Sequence, residues 1–215
     1  MKGCGGCTSC KSNFYNEVIH CLVSALDYRD QYTKGHSGRV GDMALELAKL
    51  MGLNDSMKEL VHISGHLHDI GKIGVADSVL LKEGKLSEIE WEIMKTHPQM
   101  GADIVHNCSS LESVASIILQ HHERWDGRGY PNGLKAEEIH MAARLISLCD
   151  TIDAMSSNRP YRRLFDWDFI RKEVKSNAGK QFDPKLLPFM DPLIDLWIEN
   201  FPKEEDNISL TQLTG

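Results

Sequence analysis

Apolar residues fall at helical intervals along most of the chain. Val40, Met43, Ala44, Leu47, Ala48 and Met51 stand at i, i+3, i+4, i+7, i+8 and i+11, one stripe down the side of a helix. Gly52 follows where a C-terminal cap belongs. Asn54 or Asp55 can cap a next helix that runs towards Asp69 and stops at Gly71. Ser87 with Glu90 three residues on has the form of a capping box. It predicts a helix through Ile89, Ile93 and Met94 towards His97, with Pro98 disturbing it. Further helices are predicted over 111–121, 137–155, 168–176 and 185–198, and a loop over 123–133, which is rich in glycine and holds Pro131. Strand-like alternation is nearly absent. The expected fold is an all-α helical bundle, with Trp91 and Trp197 in its core.

Composition narrows the function without naming it. Of 215 residues, 41% are hydrophobic and 26% charged, ordinary for a globular domain. The net charge of −7 argues against sequence-independent DNA binding, which needs a field of Lys and Arg. No apolar run approaches the roughly 18 residues of a membrane span, and the N-terminus lacks a signal-peptide pattern. A cytoplasmic chain is therefore expected, its six cysteines thiols or ligands and not a disulfide framework. The expected organisation is a Cys-rich flexible arm over 1–13, one domain over 14–202 and a polar tail over 203–215.

Ten histidines are many for this length, and several stand with carboxylates. His68 and Asp69 are adjacent at a helix end. Adjacent helical side chains diverge by about 100°, so such a pair can serve two neighbouring metal ions if Asp69 bridges them. His121 and His122 form a second adjacent pair where a helix gives way to a loop. His36 opens a helix, His97 precedes Pro98, and Asp150 lies within a long helix. Mixed imidazole and carboxylate donors suit Fe, Mn or Zn better than Ca or Mg. The competing reading is a set of satisfied core histidines with a buried salt bridge.

The ordered strings HSGRV (36–40), HDIGK (68–72), THPQMG around His97, HHERWDGRGYP (121–131), CDTIDAMSSNRPYR (149–162) and QFDP (181–184) resemble the HD-GYP family, a subgroup of the HD metal-dependent phosphohydrolases. The resemblance covers about residues 14–200. It implies an HD-domain bundle with a binuclear centre of two divalent ions, iron or manganese, in its core. His36, His68 and Asp150 would hold one ion, His97, His121 and His122 the other, and Asp69 would bridge. The implied activity is hydrolysis of cyclic di-GMP to pGpG, in some members on to GMP, through a metal-bridging hydroxide. Lys72 would stand beside the scissile phosphate, Arg159 and Arg162 would contact the ligand, and Gly129, Tyr130 and Pro131 would form the signature loop. Diguanylate cyclase (GGDEF) domains are implied partners through residues 123–131, and a homodimer is compatible. Other cyclic dinucleotides, pGpG, or binding without turnover are the alternatives. Some members carry a third metal on a Glu where Tyr32 stands here, so two are expected.

Other residues read more plainly. Asp153, one turn after Asp150, is expected as a supporting partner, with Arg144 as its counter-ion. Trp125 can flank the pocket. His62 and His66 have the i, i+4 spacing of a zinc-binding helix, but the resemblance gives them no role and none is expected. Cys4, Cys7 and Cys10 match part of an iron–sulfur or zinc pattern. They lack a fourth ligand unless Cys21 or another chain supplies one, and a thiol-bearing arm is the favoured reading.

Overall fold

The stripe at 40–51 becomes the buried face of a helix, and most of the other periodicities follow it. The computed structural model describes residues 8–30, 33–157 and 165–200. In chain order the helices are α1 (Thr8–Arg29), α2 (His36–Leu50), α3 (Asp55–Leu67), α4 (Asp77–Leu80), α5 (Glu88–Met94), α6 (His97–His106), α7 (Glu112–Gln120), α8 (Met141–Ser156), α9 (Trp167–Ser176) and α10 (Leu187–Asn200). Short 3-10 turns join several of them, and an isolated bridge pairs Ala178 with Phe182. The all-α expectation holds among the described residues. No helix there is long and apolar enough to cross a membrane.

Two cores meet along α3. In the larger, Val40, Met43 and Leu47 of α2 cluster with Leu145, Ile146 and Ile152 of α8 and with Leu193 and Ile194 of α10, all without exposed surface. Each such side chain contributes roughly 1.5–3 kcal/mol by leaving water. The smaller core joins Ile19 and Val23 of α1 to Val105 of α6 and to Val114 and Ile118 of α7. Val61 of α3 belongs to the first and Leu67 to the second. The C-terminal end of α3 therefore lies at the seam. α2 and α3 also approach closely at glycines, since a Cβ on Gly65 would stand 2.7 Å from Gly41 Cα.

Local signals place most ends. Asn54 caps α3 by accepting from Met57 N–H, and Ser87 with Glu90 makes both bonds of the capping box on α5. Gly52 takes the left-handed φ of 68° after α2.

Four expectations change. Pro98 does not disturb a helix but sits in the first turn of α6, where its missing N–H costs nothing. The long helix begins at Met141, not residue 137. Ala136, at φ 52°, breaks the approach, and His140 caps α8 by accepting from Ala142 N–H. α1 takes in Thr8 to Asn13, which was assigned to the flexible arm, because no glycine follows Gly6 until Gly35. Cys10 thus lies in α1, while Cys4 and Cys7 fall outside the described residues. Trp91 is 46% exposed, because all of α5 lies on the surface with no buried residue.

Candidate metal centre

Helix ends deliver the donors. His36 is the first residue of α2, His68 caps the end of α3, and Asp69 leads into the 3-10 turn Ile70–Gly74. His97 opens α6, His121 caps α7 with His122 next, and Asp150 lies within α8. Glycine lets two of these elements meet. A Cβ on Gly71 would stand 1.9 Å from the carbonyl oxygen of His97 and 2.4 Å from Gly101 N. The turn after Asp69 therefore rests directly on the backbone of α6. Arg29, at the end of α1, ties the same turn down by donating to the carbonyls of Lys72, Ile73 and Val75.

The carboxylate of Asp69 stands between two sets of imidazoles. Its Oδ2 lies 3.4 Å from His68 Nε2 and 3.9 Å from His36 Nε2, while its Oδ1 lies 3.4 Å from His97 Nε2. His36 Nε2 is 3.1 Å from Asp150 Oδ1, and His97 Nε2 is 3.3 Å from His121 Nε2. His36, His68 and Asp69 form one group able to hold a metal ion, and His97, His121 and His122 form another.

The far side of each ring fixes its aim. Nδ1 of His68, His97 and His121 bonds to the carbonyl three residues earlier, at 2.7, 2.8 and 2.6 Å. Nδ1 of His36 bonds to Asp153 Oδ2 at 2.7 Å. With Nδ1 donating, Nε2 is left with its lone pair towards the centre.

Ionisation favours the neutral ring at His97, His121 and His122, and the charged ring at His36. Burial holds His97 and His121 below the usual histidine range and brings His122 down to about 3. Burial opposes charge on Asp69 and Asp150, but Lys72 beside the first and His36 beside the second hold both below the usual carboxylate range. At His36, burial is outweighed by Asp150 and Asp153, and its pKa is raised to about 9. His68 Nε2 is buried and makes no hydrogen bond. Lone-pair nitrogens, ionised carboxylates and an unpartnered buried Nε2 fit divalent transition metals better than Ca or Mg.

Above the donors lies a cleft of about 400 Å³, with Asp69, His97, His122 and Asp150 on its floor and Lys72, Trp91 and Tyr130 on its walls. Lys72 Nζ bonds to Asp69 Oδ2 at 2.6 Å. Burial works against its charge, yet Asp69 raises its pKa, so it is not the solvated surface lysine that chemistry alone would allow. Tyr130 lies over His122, with ring centroids 4.8 Å apart, and Trp91 meets Tyr130 edge-on at 6.2 Å.

Residues 123–133 form the expected loop. Buried Glu123 accepts from the N–H groups of Asn132 at 2.7 Å and Leu134 at 3.0 Å. Gly129 packs on the backbone of residues 122–124, where a Cβ would stand 2.4 Å from Arg124 N.

Of the seven residues expected as metal ligands, His36, Asp69, His97, His122 and Asp150 line the cleft together with Lys72, and His68 and His121 stand beside them. Arg159, Arg162 and Tyr32 lie outside the described residues. Asp153 does not pair with Arg144. It bonds to Arg39 Nε at 2.7 Å, while Arg144 pairs with Asp183 at 2.5 Å. Trp91 lines the cleft in place of Trp125, which is only partly buried and has Arg144 Cζ 5.5 Å from its ring centroid. Arg39 and Glu123 were missed, since their partners lie 114 and 9 to 11 residues away. The only sequence signal for Glu123 is its place inside HHERWDGRGYP.

Comparison with known proteins identifies the family and the fold. A family model described as HD domain matches residues 20–186. A cyclic di-GMP phosphodiesterase of Thermotoga maritima is 40% identical over 177 residues, 81% of this chain and 48% of that protein. A 3'3'-cGAMP-specific phosphodiesterase 2 of Vibrio cholerae is 34% identical over 185 residues, 85% of this chain and 35% of that protein. The chain thus spans between about a third and a half of these relatives' lengths. Among solved structures, a cyclic GMP-AMP specific phosphodiesterase of V. cholerae superposes with a TM-score of 0.65 at 21% identity, over 83% of this chain and 48% of that one, a likeness of fold. With its ordered motifs, its helical bundle and a family match over most of its length, the chain belongs to the HD domain family, in the HD-GYP branch.

Proposed function

We propose that the chain is a metal-dependent phosphodiesterase that opens a cyclic dinucleotide, cyclic di-GMP first among them. The observation that carries this reading is Asp69, whose two oxygens face two imidazole sets in a cleft that also holds Lys72. In this reading His36, His68 and Asp150 would hold one divalent ion, His97, His121 and His122 would hold a second, and Asp69 would serve both, with iron or manganese the expected metal. When bound, such a pair supplies Lewis-acid stabilisation of phosphate oxygens and a more acidic water.

The chain's own groups account for the rest. Lys72 holds a fixed positive charge at the cleft wall, where charge grows on phosphorus-bound oxygen as a P–O bond breaks. Tyr130 and Trp91 offer aromatic faces to a nucleobase. Arg159 and Arg162 are proposed to fork onto phosphate oxygens or stack on guanine. Water adds across one phosphodiester of the ring, and the product is the linear dinucleotide pGpG, with GMP after a second hydrolysis. The loop braced by Glu123 and Gly129 is a stiff surface on which a GGDEF domain could dock, and a homodimer is compatible with the reading. Cys21, Cys108 and Cys149 are free thiols, in keeping with the cytoplasm.

The test is incubation of iron- or manganese-loaded protein with cyclic di-GMP, followed by chromatography. Appearance of pGpG is expected, and intact nucleotide with either metal overturns the reading. The Vibrio relative named for 3'3'-cGAMP motivates a second substrate. Competition kinetics between the two nucleotides decides which is preferred.

A further inference from the structure

A second group of donors links α2 to α3, away from the centre just described. Asp42 lies on α2, and His62 and His66 lie one turn apart on α3. His66 precedes His68 by two residues, about 200° around a helix, so the two rings leave α3 on opposite sides. His62 Nε2 is 3.1 Å from Asp42 Oδ1 and 3.0 Å from His66 Nε2, and His66 Nε2 is 3.8 Å from the same Oδ1. As hydrogen bonds these contacts are poorly matched, because His62 Nε2 carries either a proton for Asp42 or a lone pair for His66, and not both. A cation among the three atoms serves all of them at once. Donors about 2.0–2.1 Å from a tetrahedral zinc ion stand about 3.4 Å from one another. The three separations here bracket that value.

The surroundings are shaped for the group. A Cβ on Gly41 would stand 2.8 Å from His66 Cδ2, so only glycine leaves room for the ring between the helices. His66 is buried, whereas the side chains of His62 and Asp42 are 30% and 50% exposed, which leaves an open approach from solvent. His20 of α1 packs beside His66, with ring centroids 5.2 Å apart.

We propose that Asp42, His62 and His66 form a zinc-binding site that cross-links α2 to α3, with water completing the tetrahedron. The donor set of two imidazoles and one carboxylate suits Zn²⁺. The link would brace the two helices that carry His36, His68 and Asp69, and so act on stability rather than on the reaction itself. It does not depend on the proposed activity.

Zinc content of the full-length chain tests it. The protein is first loaded with Mn²⁺, then exposed to Zn²⁺, gel-filtered and analysed for both metals, beside His62→Ala and Asp42→Asn. The unmodified chain is expected to retain one more zinc per chain than either variant, at equal manganese. Its melting temperature should rise by roughly 5–10 °C at a hundredfold excess of Zn²⁺ over Kd, and those of the variants should not. Zinc displacing manganese would do so equally in all three chains and leave the difference intact. Asp42→Asn alters a half-exposed residue and serves if His62→Ala does not fold. Equal zinc content in the three chains, or equal melting shifts, overturns the proposal.

Discussion

Two histidine clusters share α3 and are built differently. At the seam of the two cores, the rings of His36, His68, His97 and His121 are tied by Nδ1 to a carbonyl or to Asp153, so each Nε2 has a fixed aim. Beside Gly41, His62 and His66 face each other through Nε2 without such ties, and the neighbouring carboxylate is half in solvent. The first arrangement is set before any ion arrives. The second holds its donors near one another but lets them adjust. Anchored rings present lone pairs in a fixed direction, whereas untied rings can turn towards whatever they meet.

The sharpest break in that comparison is Asp69→Ala. It removes the carboxylate common to both metal groups and leaves Lys72 without its partner, so loss of metal from both groups and of all turnover is expected. Elemental analysis that still finds two metals per chain contradicts the bridging role. Next in size is Lys72→Ala, expected to keep its metals and lose roughly 10²-fold or more in rate, as when one charge-stabilising donor is removed. Unchanged turnover would make Lys72 a support for Asp69 alone. Asp153→Asn loosens the tie on His36 and the bond to Arg39, and metal affinity should fall about 10- to 100-fold. Titration with Mn²⁺ measures it, and an unaltered affinity would mean that anchoring does not matter at the centre. The smallest effect is expected from His62→Ala, which should leave turnover within about twofold, as for surface changes away from a site. A loss comparable to that of Lys72→Ala would join the two clusters into one functional unit.

The helices and the adjacent pairs His68–Asp69 and His121–His122, which the structure brings together, were legible because their signals are local. The period of Val40 to Met51, the Ser87–Glu90 box and the HD and HH pairs are all read within a few residues. The walls of the cleft were not. Trp91 sits in an apolar pattern that predicts burial, and its exposure follows from where α5 lies in the fold. Asp153 was recognised as a supporting residue, yet its partners His36 and Arg39 are 117 and 114 residues away, a distance over which spacing carries no information. Pro98 shows a different failure, since the same residue ends one helix pattern and opens the next.

The contact of Gly71 with the backbone of His97 has a consequence for anyone who would remodel this centre. The gauge between Asp69 and His97 is set by one main chain resting on another, so no choice of side chain at that contact can widen or narrow it by degrees. Any larger residue at Gly71 would collide with His97 O and Gly101 N, so the turn and α6 would have to part. A redesign for ions of a different size would therefore have to begin by shifting α6, and only then exchange ligands.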